Sequence, residues 1–417
     1  MASPELPLVG DSDSELDRSL TTLENFLGIL GFCHYTFLRG TLSWLAFLVL
    51  AVAVPLSVHE FSRCAAGCER FEIDTFELEI LVSRAVVAAV SLLCVSRNLR
   101  RYGVRQALFV DRRHGHTTQF CTQYIRKFRT FYCLLASWFG ICFLLKAARE
   151  AARLIYLHHD GSWWLSVVLL FICLFSWSYT TLVFLSGCAL FHLVGNLQII
   201  HFENYGKVLE IDSDVSVYIE EHMALAYALS KISHRFRIFL LLEFLVITAS
   251  QFVTLLQTTE NQGVINLING GDFAVLSIVQ LVGIVLCLNA AAKISHRAQS
   301  LGSIASRWHA LVTCNSSNVS ASEILKDGGN EETLSVNYSE PDLESADYIP
   351  LPTNGQPISS TSSYERRQAF VTYVQSNTGG FTIFGWIVDR MLINTIFFIE
   401  LSLVFFVLGK TITVTVR

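Results

Sequence analysis

Of the 417 residues, 52% are hydrophobic and only 16% charged, where a soluble domain carries about 25% charged residues. The apolar residues come in long blocks, which points away from a soluble protein and towards a polytopic membrane protein. The net charge is −5 with no basic tract, so nucleic acid is not an expected partner. There is no phosphate loop, no Gly-rich dinucleotide turn and no HExxH motif, so neither an enzyme nor a cofactor or metal site is expected.

The chain opens with an acidic stretch, "MASPELPLVGDSDSELDRSL", which lacks the basic and apolar regions of a secretory signal. Leu16, Leu20, Leu23 and Leu27 then recur at helical spacing, predicting an amphipathic helix within a cytoplasmic segment, residues 1–40. Such a helix lies against the membrane or the protein body; a lipid sensor is the alternative.

Seven apolar runs near the bilayer length follow, at Thr41–Val58, Phe76–Val95, Phe128–Leu145, Trp163–Leu193, Phe236–Leu256, Phe273–Ala292 and Phe381–Leu408, predicting seven transmembrane helices. The fold class is therefore an all-α membrane protein, in the plasma membrane or an endomembrane. Residues 41–314 hold the first six spans and their cytoplasmic helix extensions, and residues 364–417 an anchor helix and the seventh span. With a cytoplasmic N-terminus, the inner connections hold 19 Lys and Arg residues and the outer ones 7. That bias sets the N-terminus inside and the C-terminus outside, opposite to a G-protein-coupled receptor.

Between the first two spans, "CAAGC" places Cys64 and Cys68 in a short loop. An oxidising compartment would permit a local disulfide there. His158, His159 and Asp160 fall in another short loop, without zinc-site spacing. Residues 315–363 are rich in Ser, Asn, Glu, Pro and Gly, the composition of a disordered cytoplasmic loop. Its N-x-Ser/Thr acceptors at Asn315, Asn318 and Asn337 would be glycosylated if the loop faced outward; in the charge-derived orientation they are chance matches. The "YIPL" at Tyr348–Leu351 matches a tyrosine-type sorting signal, a weak four-residue pattern.

Four stretches together carry a resemblance: "KISHRFR" (Lys231–Arg237), "KISHRAQSLGSIASRWHALVT" (Lys293–Thr313), "RRQAFVTYVQSN" (Arg366–Asn377) and "GGFTIFGWIVDRMLINTIFFIELSLVFFVLGKT". The chain resembles a plant family of seven-helix membrane proteins termed gustatory receptor-like, distantly related to insect gustatory and odorant receptors. The resemblance implies a homotetrameric, ligand-gated cation channel with the N-terminus inside. It also implies a small-molecule ligand, a last helix lining a central pore, and an anchor built from the cytoplasmic ends of the last four helices. Gly380, Phe381, Asp389 and Arg390 fit the insect pattern before that helix. Ser402-Leu403 and Gly409-Lys410, however, replace its Thr-Tyr and Gln-Phe, so ion conduction does not carry over directly.

At about 100° per residue, Thr395, Ser402, Phe406, Gly409 and Thr413 fall within about 60° of one another on the last helix. With Lys410 beside them, these are the candidate pore-lining residues: hydroxyls for ions and a ring able to gate by dewetting. Close helix packing by small residues explains the same stripe. Glu400 lies on the opposite face with Ile393 and Ile396. An intramembrane carboxylate is costly and needs a partner. Arg84, at about 12 Å from the outer end of the second span, has a compatible depth, so an Arg84–Glu400 pair is expected. Glu243, with Arg237 on its own helix, is the other acidic candidate. On the ligand side, Trp163, Trp164, Phe171, Gln251 and Thr254 fall in the outer halves of the spans, where an interfacial belt equally explains the tryptophans. The expected function is an oligomeric channel-like receptor in the lipid bilayer, or a non-conducting seven-helix receptor or scaffold of the same fold.

Overall fold

The computed structural model describes residues 9–34, 36–62, 74–108, 118–157, 163–209, 214–260, 267–324 and 363–415. They form helices α1 (Val9–Ile29), α2 (Phe37–Leu48), a π turn (Val49–Ala53), α3 (Val54–Ser62), α4 (Asp74–Ala107), α5 (Thr118–Leu157), α6 (Trp163–Val208), α7 (Val215–Glu260), α8 (Leu267–Ile324) and α9 (Ser363–Ser376). A two-stranded hairpin, β1 (Thr382–Ile383) and β2 (Trp386–Ile387), then precedes α10 (Arg390–Thr415). Among the described residues, six helical stretches are long and apolar enough to cross a membrane: Phe37–His59, Leu78–Ala107, Cys121–Ala152, Ser166–Val208, Val215–Val253 and Gly271–Cys314.

The helices outrun the apolar blocks. α6 and α7 each have 46 residues and α8 has 58, against about 20 for a bilayer core. α8 continues to Ile324, past the predicted start of the disordered loop at Asn315. The last helix starts later than expected. Phe381–Val388 is not helical, because Phe384 (φ 49°) and Gly385 (φ 88°) take left-handed backbone, the signature of a two-residue hairpin turn. Asp389 then caps α10, its Oδ1 accepting the Leu392 N–H at 2.8 Å.

α1 is the predicted amphipathic helix. Leu16, Leu20, Leu23 and Leu27 are all buried, and Phe26 sets its ring edge-on to Phe131 and Tyr132 of α5. Its end is a Schellman motif: Phe32 N–H donates to Leu27 O at 2.9 Å and Gly31 N–H to Gly28 O at 3.1 Å, with Gly31 at φ 88°. Replacing Leu23 with alanine is expected to cost about 2 kcal/mol, read as a lower Tm in detergent. Replacing Asp17, whose ion pair to Arg105 is half exposed, should leave Tm nearly unchanged.

The break in the first span follows from Pro55. Val54 N–H still bonds Val49 O in the π register, but the next donor in that register would be residue 55, which has no N–H. The Leu50 carbonyl so released accepts instead from Ser176 Oγ of α6 at 2.6 Å.

The chain divides into two compact units. The first comprises residues 1–204, 224–298 and 379–417, and the second residues 205–223 and 299–378. In the first unit α6 is buried on every side from Val183 to Gly195, as a central helix must be. Glycines set its distances to neighbours. A Cβ on Gly187 would overlap Ser91 of α4, one on Gly195 would lie 2.8 Å from Ile294 of α8, and one on Gly283 of α8 would overlap the Phe184 ring. The second unit has an aromatic core of Tyr205, Tyr218, Trp308 and Phe370, with Tyr218 and Trp308 rings 5.5 Å apart. There Tyr205 Oη donates to Tyr218 O at 3.0 Å, and Gln375 of α9 donates to Ser306 Oγ at 2.9 Å.

Candidate functional site

Two regions of the first unit carry polar chemistry inside apolar surroundings. The first is the approach to α10. The sequence repeats Lys-Ile-Ser-His-Arg on α7 and α8, and the two serines converge on the hairpin. Ser295 Oγ accepts the Phe381 N–H at 3.1 Å, and Ser233 Oγ the Thr382 N–H at 3.2 Å. Ile232 and Ile294 are fully buried beside them, as is Phe381. Arg237 lies 5.1 Å from the centroid of the Phe384 ring at the turn. The repeat, read at sequence level only as a family mark, thus satisfies the backbone donors of the segment leading into α10.

α10 itself has two unlike faces. Ile393, Glu400 and Val404 are buried, with Ile396 and Phe397 partly so. Thr395, Ser402, Phe406 and Gly409 are exposed, and Thr395, Ser402 and Gly409 run at sevens down the middle of the open face, flanked by Phe398 and Phe405. The side chains of Lys410 and Thr413 lie outside the described residues.

Glu400 does find a partner, but not the expected one. Thr248 Oγ1 of α7 donates to Glu400 Oε1 at 2.5 Å, while Arg84 sits in a different cluster, so the structure does not bring Arg84 and Glu400 together. Matching depth alone could not choose between α4 and α7 as the neighbour of α10. Glu243 is buried with neither carboxyl oxygen in hydrogen-bond geometry among the described residues, and Arg237 turns to Phe384 and His234 instead.

The second region is a cavity of about 70 Å³ where α3 and α5 end and α4, α6 and α8 begin. Pro55, His59, Leu81, Arg84, Cys173 and the charged residues of α5 and α8 line it. Lys146 is buried and pairs with Glu150 Oε1 at 2.7 Å and with Asp272. Arg149 pairs with Glu150 Oε1 at 2.6 Å and stands 4.0 Å from Asp272 Oδ2. Arg84 also borders a second, smaller space beside Trp177, Thr180, Thr181 and Gln280. Around it runs a buried amide and hydroxyl network: Gln251 Nε2 donates to Gln280 Oε1 at 2.7 Å, Ser277 Oγ to Gln251 Oε1 at 3.1 Å, and Gln280 Nε2 to Ser83 Oγ at 3.1 Å.

Lys146, Arg149 and Glu150 read in the sequence as charges of an outer connection. The signal that could have moved them inward was "KAARE", whose Lys-to-Glu spacing of four suits a continuing helix. Of the expected ligand-side residues, Gln251 is buried in the amide network, whereas Trp164 and Phe171 are exposed, consistent with an outward belt. The side chains of Trp163 and Thr254 lie outside the described residues, as do Cys64, Cys68, the His158–Asp160 loop, the Asn315, Asn318 and Asn337 side chains and Tyr348–Leu351. Among the described residues no three His, Cys, Asp or Glu side chains gather to hold a metal. In the linker from α1 to α2, burial and then the Glu24 charge push the Cys33 thiol up to about 12, so it is no nucleophile at neutral pH. Burial and then Arg100 hold His34 below the usual imidazole range.

Residues 18–399 match the profile of a family described as protein of unknown function, DUF3537. The chain belongs to that family. No curated protein matches this DUF3537 chain in sequence. Among solved structures its fold is similar to that of the insect olfactory receptor OR5 from Machilis hrabei in complex with eugenol. The TM-score is 0.53 at 12% identity, and the match covers 94% of this chain and 98% of the receptor. The DUF3537 chain therefore shares the fold of an insect chemoreceptor, and its similar structure is a receptor rather than an enzyme.

Proposed function

We propose that this DUF3537 chain is a chemoreceptor-like membrane protein that assembles, as the insect receptors do, into a tetramer with α10 at the central axis and opens in response to a small molecule. It would belong with the plant gustatory receptor-like proteins, with seven spans and its N-terminus in the cytoplasm. The observation that carries the reading is the division of α10. Its buried face rests on α7 through Glu400 and Thr248, while Thr395, Ser402, Phe406 and Gly409 face outward. Small and hydroxylated residues on the open face of a membrane helix suit an axis or a close helix contact.

Single-particle imaging of detergent-purified protein tests the assembly: a four-fold particle with residues 395–409 around the axis is expected. Planar-bilayer recording tests conduction. Replacing Phe406 with alanine should raise the resting current, because the ring that holds the pore dry is removed. A monomer, or an axis bounded by another helix, would refute the pore. A four-fold particle silent in every recording would favour the non-conducting scaffold, for which the Gly409-Lys410 replacement speaks.

A further inference from the structure

Among the described residues, the charges around the larger cavity do not balance. Lys146 and Arg149 face Glu150 and Asp272, two cations against two carboxylates, and ion pairs join the four. Arg84 is the surplus cation. Among the described residues it makes no hydrogen bond and no ion pair, and its Nε is buried without a partner. It nevertheless borders both the larger cavity and the smaller space beside Thr181. Water can meet guanidinium donors but cannot neutralise the charge, and an unneutralised cation among membrane helices is costly.

We propose that this cavity binds a small carboxylate, with the Arg84 guanidinium as its principal anchor. A guanidinium presents a planar fork of donors that matches the two oxygens of a carboxylate. The ammonium of Lys146 is already committed to Glu150 and Asp272, so the quartet supplies a rigid wall rather than the anchor. The volume, about 70 Å³, is roughly half that of an engineered apolar cavity that holds benzene, which suits a ligand of a few heavy atoms, of the size of acetate or propionate. Leu56, Leu78 and Leu81 line the same space and favour a short alkyl tail over a bare inorganic ion. The inference rests on the receptor-like reading for its biological meaning, but the site stands on its own geometry.

The test is thermal unfolding of the full-length protein in detergent, followed by tryptophan fluorescence, in sodium acetate, in sodium chloride, and in sodium chloride with acetamide, all at one ionic strength. Tm should rise and saturate with acetate, as binding to the folded state requires, and stay level with acetamide. Arg84→Gln should lose the rise. This variant should still fold, since it removes an uncompensated charge. If it does not, Arg84→Lys serves, and a weaker acetate dependence than wild type is expected because a point charge replaces the fork. An equal rise in chloride and acetate, no rise in acetate, or a rise that survives in Arg84→Gln would each overturn the proposal. Acetate stabilisation in a protein that conducts under no condition would refute the channel reading and leave the site. Currents evoked by neutral compounds, with Tm indifferent to acetate, would do the opposite.

Discussion

Replacing Lys146 with methionine is expected to abolish recovery of monodisperse protein. The side chain is buried, and its one ammonium pairs with both Glu150 and Asp272. Methionine matches its length but leaves both carboxylates without their ammonium partner, and Arg149 stands 2.6 Å from Glu150 but 4.0 Å from Asp272. Breaking a buried pair by removing one partner costs about 3–5 kcal/mol, a large share of the roughly 5–15 kcal/mol that holds a typical protein folded. The second substitution that compensates is Asp272→Asn, which removes the carboxylate that Lys146 had paired while Arg149 stands 4.0 Å from it, and the double variant should recover most of the Tm. Size-exclusion chromatography and thermal unfolding in detergent decide the matter. If Lys146→Met alone runs as a sharp peak with an unchanged Tm, the quartet contributes nothing to the fold.

Gly283→Leu should be nearly as damaging, for a reason of space rather than charge. Any side chain at this position of α8 enters the volume of the Phe184 ring on α6. Phe184 is itself buried, so the ring has little room to withdraw. Leucine is a better helix former than glycine by roughly 0.8 kcal/mol, but overpacking a tight core costs about 1–3 kcal/mol and sometimes more. With a whole isobutyl group to place, the expected loss is about 3 kcal/mol. Phe184→Ala costs stability by itself, yet combined with Gly283→Leu it should give a higher Tm than Gly283→Leu alone. A double variant no better than the worse single one would show that α6 and α8 meet elsewhere.

These two positions show what the sequence made legible and what it did not. Apolar blocks located the first six spans, because bilayer thickness imposes a length that composition alone reveals. The leucines of α1 announced a buried stripe for a similar reason, since one helix face suffices to define it. Lys146 and Asp272 were opaque because they lie 126 residues apart and their pairing depends on which helices are neighbours. The same ignorance assigned Glu400 to Arg84 when its partner was Thr248. Length also misled: hydropathy marks where lipid ends, not where a helix ends, so α8 ran to Ile324 unseen. The start of α10 was missed for a local reason, as Phe384 with a positive φ is an uncommon choice for a hairpin turn that favours Asn or Gly.

The serines at 233 and 295 fasten Phe381 and Thr382 to two different helices, and this has a mechanical meaning. A rod pinned at one end by two brackets and resting along one side only can swing but cannot slide. For α10 the bracketed end is the hairpin, and the arm is everything beyond Asp389. Displacements of α7 against α8 would twist the brackets by fractions of an ångström, and the arm would enlarge them with distance from the hinge. The residues that travel farthest would be those towards Gly409, at the opposite end from the pin.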